Sequence, residues 1–126
     1  MSFCVEMIDH VEVLVGDLEA SVRWYSKVLG LREICRWTPE PIMIGAGGTA
    51  LALFQASANA PDANQRSADL RWVRVAWRTS EAGFLDAQAH LKSLGIAFSG
   101  PVDHGSTRSI YFGDPDGHPL EITYPV

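Results

Sequence analysis

The chain has 126 residues, of which 47% are hydrophobic and 20% are charged, and its formal net charge is −5 at pH 7. This composition is typical of one folded domain and excludes a mainly disordered chain. The negative balance argues against nucleic acid or a membrane surface as partner, because either would require a basic face. No leader peptide, no run of roughly 20 apolar residues and no disulfide framework is visible. We therefore expect a single cytoplasmic domain.

The first half of the chain predicts the order strand, helix and three strands. DHVEVLV (9–15) alternates as a strand does, with His10 and Glu12 on one face and valines on the other. Asp17 can cap the helix that follows, and Gly30 can end that helix in a left-handed conformation. Turns rich in proline and glycine separate the three extended segments that complete this half, REICRW, IMIGA and TALALFQ.

The second half repeats this order. WVRVAWRT (72–79) reads as its first strand, Ser80 can cap the next helix and Gly95 can end it. The later extended segments are AFSG, SIYFGD and LEITY. The two helix endings also match, KVLGL (27–31) in the first half and KSLGI (92–96) in the second. The shared order and endings indicate an internal duplication.

The duplication predicts two βαβββ modules, 1–56 and 70–126, within one domain that spans 1–126. A polar segment rich in alanine and asparagine, 57–69, suits a linker between them. Each module alone is too small to bury its sheet face well. We therefore predict an α+β fold in which the two modules form a cupped, mostly antiparallel sheet with the helices on its outer face.

Strand alternation places a set of equivalent side chains on the face away from the helices. These positions hold His10 and Ala52 in the first module, and Arg74 and Glu121 in the second. Among them Arg74 stays protonated and offers no lone pair, unlike the histidine at the equivalent position of the first module. We expect Arg74 either to satisfy Glu121 or to meet an anionic group on a ligand.

Other side chains are candidate ligand contacts. Tyr111 alternates onto one face with Ser109, where its phenol can bond a ligand or lie at the edge of the core. His104 lies in a loop and can reach into a cleft as a substitute metal ligand or a proton shuttle. Trp37 offers a flat apolar wall for a pocket.

Together these features resemble the vicinal oxygen chelate superfamily, which includes glyoxalase I, fosfomycin-resistance enzymes, extradiol dioxygenases and bleomycin-resistance proteins. The resemblance rests on the duplicated order, on DHVEVLV, on WYSKVLGL (24–31) and above all on SIYFGDPDGHPLEITYP (109–125). It implies a homodimer and a small-molecule ligand. In the enzyme members it implies a divalent metal, Fe, Mn, Zn or Ni, held by His and Glu at the equivalent positions.

The resemblance leaves more than one function open. Because Arg74 and Ala52 stand at ligand positions, we expect a metal-independent ligand-binding or resistance-type protein with no cofactor. The alternative is a metal-dependent lyase, dioxygenase or thiol transferase in which His10 and Glu121 hold the metal. That shell would need a further donor from His104, a substrate or a partner subunit. A third possibility is a metal-free enzyme in which His10 and Glu121 transfer protons on a substrate anchored by Arg74.

Overall fold

The computed structural model describes residues 3–57 and 74–126. The chain divides into two compact units, and the division falls inside the interval between those ranges. Each unit has the order strand, helix and three strands, which confirms the predicted order. The predicted linker at 57–69 lies outside the described residues except for Ser57, so the module boundaries stay a prediction. No helix among the described residues is long and apolar enough to cross a membrane.

The first unit contains β1 (Val11–Val15), α1 (Leu18–Leu29), β2 (Arg32–Arg36), β3 (Ile42–Ala46) and β4 (Thr49–Gln55). The second unit contains β5 (Val75–Arg78), α2 (Glu81–Ser93), β6 (Ser99–Asp103), β7 (Thr107–Gly113) and β8 (Pro119–Pro125). The strand β1 is shorter than the alternating pattern suggests, because it begins at Val11 and not at Asp9.

Both helices begin directly after their predicted caps. The Asp17 side chain accepts a hydrogen bond from a backbone N–H of the first turn of α1 at 2.9 Å, and Gly30 follows that helix with φ 69°. Ser80 caps α2 in the same way at 3.0 Å, and Gly95 lies just beyond its end with φ 71°. Glycine adopts this left-handed backbone at no steric cost, so the two glycines set where the chain turns back to its sheet.

The two sheets have the same topology. Their strand orders are β1-β4-β3-β2 and β5-β8-β7-β6. Each sheet is mixed, because the first strand of the unit in chain order pairs in parallel with the fourth, β1 with β4 and β5 with β8. The remaining neighbours are antiparallel. A parallel pair needs a crossover connection, and in each unit the helix lies within that connection.

The helix-covered face of the second sheet forms its core. Phe84 of α2 is buried and packs its ring on Tyr124 at 4.9 Å between centroids. The apolar side chains that share this face of β7 and β8 are also buried: Ile110, Phe112, Leu120 and Ile122. Since a one-residue slip would turn all of them to the other face, their burial fixes the register and directs the alternate residues to the opposite face.

Candidate functional site

The strand registers give the two units matching positions. His10 and Arg74 each lie one residue before the first strand of their unit. Ala52 lies opposite the second residue of β1, and Glu121 lies opposite the second residue of β5. The same backbone positions therefore hold His10 and Ala52 in one unit, and Arg74 and Glu121 in the other.

In the first unit, His10 lies between two carboxylates. Its Nδ1 is 2.8 Å from Oδ2 of Asp9, and its Nε2 is 3.7 Å from Oε1 of Glu12. The hydrogen bond with Asp9 is the largest cause of a raised His10 pKa, and Glu12 adds a smaller contribution. The raised pKa extends the protonated form of the imidazole to higher pH than in a free histidine, and in that form its nitrogens have no lone pair for a metal ion.

Trp37 also belongs to the first unit. It follows β2, and its backbone N–H donates to the carbonyl of Pro41 at 2.9 Å. The residue is 55% exposed. The indole is thus accessible, and its role as a pocket wall stays a prediction.

In the second unit, Tyr111 is the centre of a group of contacting side chains. The Arg74 guanidinium lies over the Tyr111 ring, 4.6 Å from its centroid, as a cation–π contact. The Tyr111 hydroxyl is 2.6 Å from Nε2 of His104. Arg74, which is distant in the sequence, therefore joins His104 and Tyr111 in one contiguous cluster.

Either group can be the donor in the hydrogen bond between Tyr111 and His104. When Nε2 of His104 carries no proton, the Tyr111 hydroxyl donates to it and presents lone pairs to its surroundings. When Nε2 is protonated, its N–H donates instead and the Tyr111 proton is available to another acceptor. The proton on His104 Nε2 thus sets whether Tyr111 offers a donor or an acceptor.

Glu121 lies beside this cluster and accepts a hydrogen bond from a serine hydroxyl. It is the register partner of Tyr111 on β8. The fully buried Ser109 donates its hydroxyl to Oε2 of Glu121 at 2.7 Å. Because that bond uses the one proton of Ser109, its oxygen can only accept from the hydroxyl of Thr123, which is 2.9 Å away. The Thr123 hydroxyl also lies 3.1 Å from the carbonyl of Arg108.

The structure adds side chains that the sequence reasoning did not assign to the site. Ser109 orients Glu121, and Asp9 orients His10. The signal for Ser109 was its alternation onto the face of Tyr111, two residues along the same strand. Asp9 gave no signal beyond its position next to His10.

The described side chains do not fit a metal ion at this cluster. Arg74 brings a fixed cation and no lone pair to the position that His10 holds in the first unit. Within residues 3–57 and 74–126, no group of three or more His, Cys, Asp or Glu side chains is arranged to hold a metal. The donor chemistry of the second unit instead suits hydrogen bonding to a polar ligand.

Comparison with known proteins gives matches over most of the chain. Residues 7–122 match the model of the Glyoxalase/Bleomycin resistance protein/Dioxygenase superfamily. The chain is 30% identical to the metallothiol transferase FosB of Lysinibacillus sphaericus, over 94% of this chain and 82% of that protein. It is 28% identical to the virulence protein STM3117 of Salmonella typhimurium, over 97% of this chain and 86% of that protein.

Solved structures show the same fold. A glyoxalase/dioxygenase from Nostoc punctiforme superimposes with a TM-score of 0.78 at 26% identity, covering 95% of this chain and 91% of that one. The crystal structure of the Salmonella protein STM3117 gives a TM-score of 0.76 at 25% identity, covering 98% of this chain and 100% of that one. The predicted α+β fold is therefore confirmed.

The effect of the two neighbouring carboxylates on the His10 pKa can be tested by substitution. Replacing Asp9→Asn should lower the His10 pKa towards its ordinary value, and Glu12→Gln should lower it less, because Asp9 is the larger cause. Titration of the imidazole signals by NMR measures both shifts. An unchanged pKa in Asp9→Asn would contradict the assignment. Since the folded-state pKa is raised, the His10 contribution to stability is present at low pH and is lost as pH rises through that pKa.

Proposed function

Since the chain belongs to the Glyoxalase/Bleomycin resistance protein/Dioxygenase superfamily, we propose that it is a metal-independent, ligand-binding or resistance-type protein whose ligand is a small organic anion. The observation that carries this proposal is the position of Arg74. Its guanidinium lies over the ring of Tyr111, the register partner of Glu121 on the second sheet. A guanidinium there can hold a carboxylate or phosphate group through two parallel hydrogen bonds.

The Tyr111 ring prepares Arg74 for this role. Stacking on the ring restricts the long arginine side chain before a ligand arrives, so less rotamer freedom is lost on binding. Tyr111 and His104 then add a hydroxyl and an imidazole beside the bound anion.

The charge at this face supports a function without a metal. A divalent cation close to Arg74 would experience repulsion that a partly buried site screens less than water does. In the first unit, the raised pKa of His10 means that a proton competes for its nitrogen. In the second unit, Arg74 stands where a transition-metal site would need a neutral imidazole to accompany Glu121.

A second candidate is a metal-dependent enzyme. The FosB protein of Lysinibacillus sphaericus is a metallothiol transferase, and this chain is 30% identical to it. The hydrogen bond of His10 to Asp9 is also the kind of contact that orients a metal-bound imidazole. In that function His10 and Glu121 would be the protein ligands and would need a further donor.

Arg74 should dominate anion binding. We expect Arg74→Gln to weaken binding of propionate and ethyl phosphate by about tenfold or more, since hydrogen bonds to charged groups contribute about 1.5–3 kcal/mol. Isothermal titration calorimetry measures the change. Arg32→Gln, at an exposed arginine on β2 of the first unit, is the matched control and should bind like the unmodified protein. Equal loss in both variants, or no loss in either, would refute the role of Arg74.

Metal content separates the two candidate functions. Protein purified without chelators should hold far less than one transition-metal ion per chain, as measured by plasma mass spectrometry. Arg74→His should retain more metal than the unmodified protein, because it places an imidazole at the position equivalent to His10. Arg78→His, on β5 of the same unit, is the control and should not. One equivalent of transition metal in the unmodified protein would establish the second candidate instead.

We also propose that the chain forms a homodimer. Several large apolar side chains near the start of the first unit are strongly exposed: Phe3, Val5, Met7 and Ile8. Exposed apolar surface of this kind favours association with another surface, and a second copy of the chain is the occupant that the family resemblance implies. Light scattering after size-exclusion chromatography should give twice the mass of one chain. A monomer at micromolar concentration would contradict the proposal.

A further inference from the structure

The second unit has a cavity on its helix-covered side, away from the face that carries Arg74. Its volume is about 270 Å³, just below the roughly 300–1,000 Å³ that is usual for small-molecule sites. It lies between the first half of α2 and the strands β6, β7 and β8. Its wall includes Glu81, Phe84 and Leu85 from α2, and Pro101, Arg108 and Tyr124 from the strands. The size of the cavity suits a molecule of about one ring.

One part of this wall is apolar. Phe84 and Tyr124 are almost fully buried, and their rings pack at 4.9 Å between centroids. Leu85 beside them is 65% exposed, although covering a leucine side chain lowers the free energy. Pro101 adds a further apolar surface from β6. A bound apolar group would therefore cover surface that the described part of the chain leaves in water.

The Tyr124 hydroxyl is a hydrogen-bond donor at the same wall. Arg108 is the register partner of Tyr124 on β7, and its Nη1 donates to the hydroxyl oxygen at 3.1 Å. The phenol also carries one proton of its own. Among residues 3–57 and 74–126, no acceptor bonds that proton, and Tyr124 is only 5% exposed. A buried donor without an acceptor is costly, so Tyr124 favours a ligand oxygen that accepts from it.

The charge of Arg108 is already met by protein carboxylates. Its Nε is 3.9 Å from Oδ2 of Asp103, and its pKa is raised by the hydrogen bond with Tyr124 and by the charges of Asp103 and Glu81. A carboxylate bound at Arg108 would therefore be repelled by two anions. A guanidinium has five N–H donors, however, and the bond to Tyr124 uses one of them. The cavity thus has spare hydrogen-bond donors but no spare positive charge.

We infer that this cavity binds a small uncharged organic molecule of about one ring, with an apolar body against Leu85 and a carbonyl oxygen that accepts hydrogen bonds from Tyr124 and Arg108. A carbonyl oxygen has two lone pairs, so one atom can accept from both donors. Arg74 takes no part, because it lies over Tyr111, which strand alternation places on the opposite face of the sheet. The inference goes beyond the proposed function, and either can fail without the other.

Matched ligands test the inference on the unmodified protein. Acetophenone has a ring and a carbonyl oxygen, ethylbenzene has the same ring without an acceptor, and benzoate carries a carboxylate instead. Acetophenone should bind about fivefold to tenfold more tightly than ethylbenzene, as expected for hydrogen bonds between uncharged groups, and more tightly than benzoate. NMR titration measures the three dissociation constants. Equal binding of acetophenone and ethylbenzene, or tighter binding of benzoate, would overturn the inferred ligand class.

The same spectra locate the ligand. The amide signals that shift with acetophenone should include those of Phe84, Leu85 and Tyr124. Shifts at Tyr111 and His104 without shifts at these three residues would place the molecule on the opposite face and refute the cavity as its site.

A variant assigns the preference to the Tyr124 hydroxyl. Tyr124→Phe retains the ring and should remove most of the preference for acetophenone over ethylbenzene. Ser93→Ala, which deletes a hydroxyl at the last residue of α2, is the matched control and should retain the preference. An undiminished preference in Tyr124→Phe would contradict the role of this donor.

A second variant fills the cavity. Leu85→Trp adds volume at an exposed position, where a larger side chain does not disturb the core, and should weaken the binding of acetophenone and ethylbenzene alike. This variant decides the location of the site even if Tyr124→Phe does not fold. Unchanged binding of acetophenone by Leu85→Trp would show that the ligand lies elsewhere.

Discussion

The hydrogen bond from the buried Ser109 hydroxyl to Glu121 is the constraint on which the charge arrangement of the second unit depends. It holds the carboxylate against its own sheet, where Ser109 is fully enclosed and cannot follow a moving side chain. A glutamate without this contact would be drawn to the nearest guanidinium and would neutralise it. With Glu121 held in this way, Arg74 lies over the ring of Tyr111.

This hydrogen bond depends in turn on the core on the other side of the sheet. Ser109 and Tyr111 flank the buried Ile110, and Glu121 follows the buried Leu120. Since successive strand residues alternate between faces, burial of the apolar set against α2 also determines which polar groups face away from the helix. Packing of the apolar side chains on one face therefore positions the polar side chains on the opposite face. The strand faces, the helix caps and the matching positions of the two units were predictable from the sequence, because each can be recognised in short stretches of it.

Other features of the site were not predictable from those patterns. The contact of Tyr111 with His104 joins a strand to a loop whose path no sequence period specifies. The hydrogen bond through which Asp9 raises the His10 pKa depends on a side-chain rotamer just outside a strand. The position of Arg74 was predictable, but its stacking on the Tyr111 ring was not, because that contact spans an intervening strand.

An arginine at the position that His10 holds in the first unit changes what this face can do to a bound molecule. A metal ion accepts lone pairs, polarises the atom it binds and makes bound water more acidic. A guanidinium only donates hydrogen bonds, so it orients an anion and neutralises its charge without accepting a lone pair from it. The neighbouring groups complement that role, because Tyr111 changes between donor and acceptor with the proton on His104, and Glu121 accepts. In the proposed function, the role of Arg74 is therefore to orient a bound anion and to neutralise its charge.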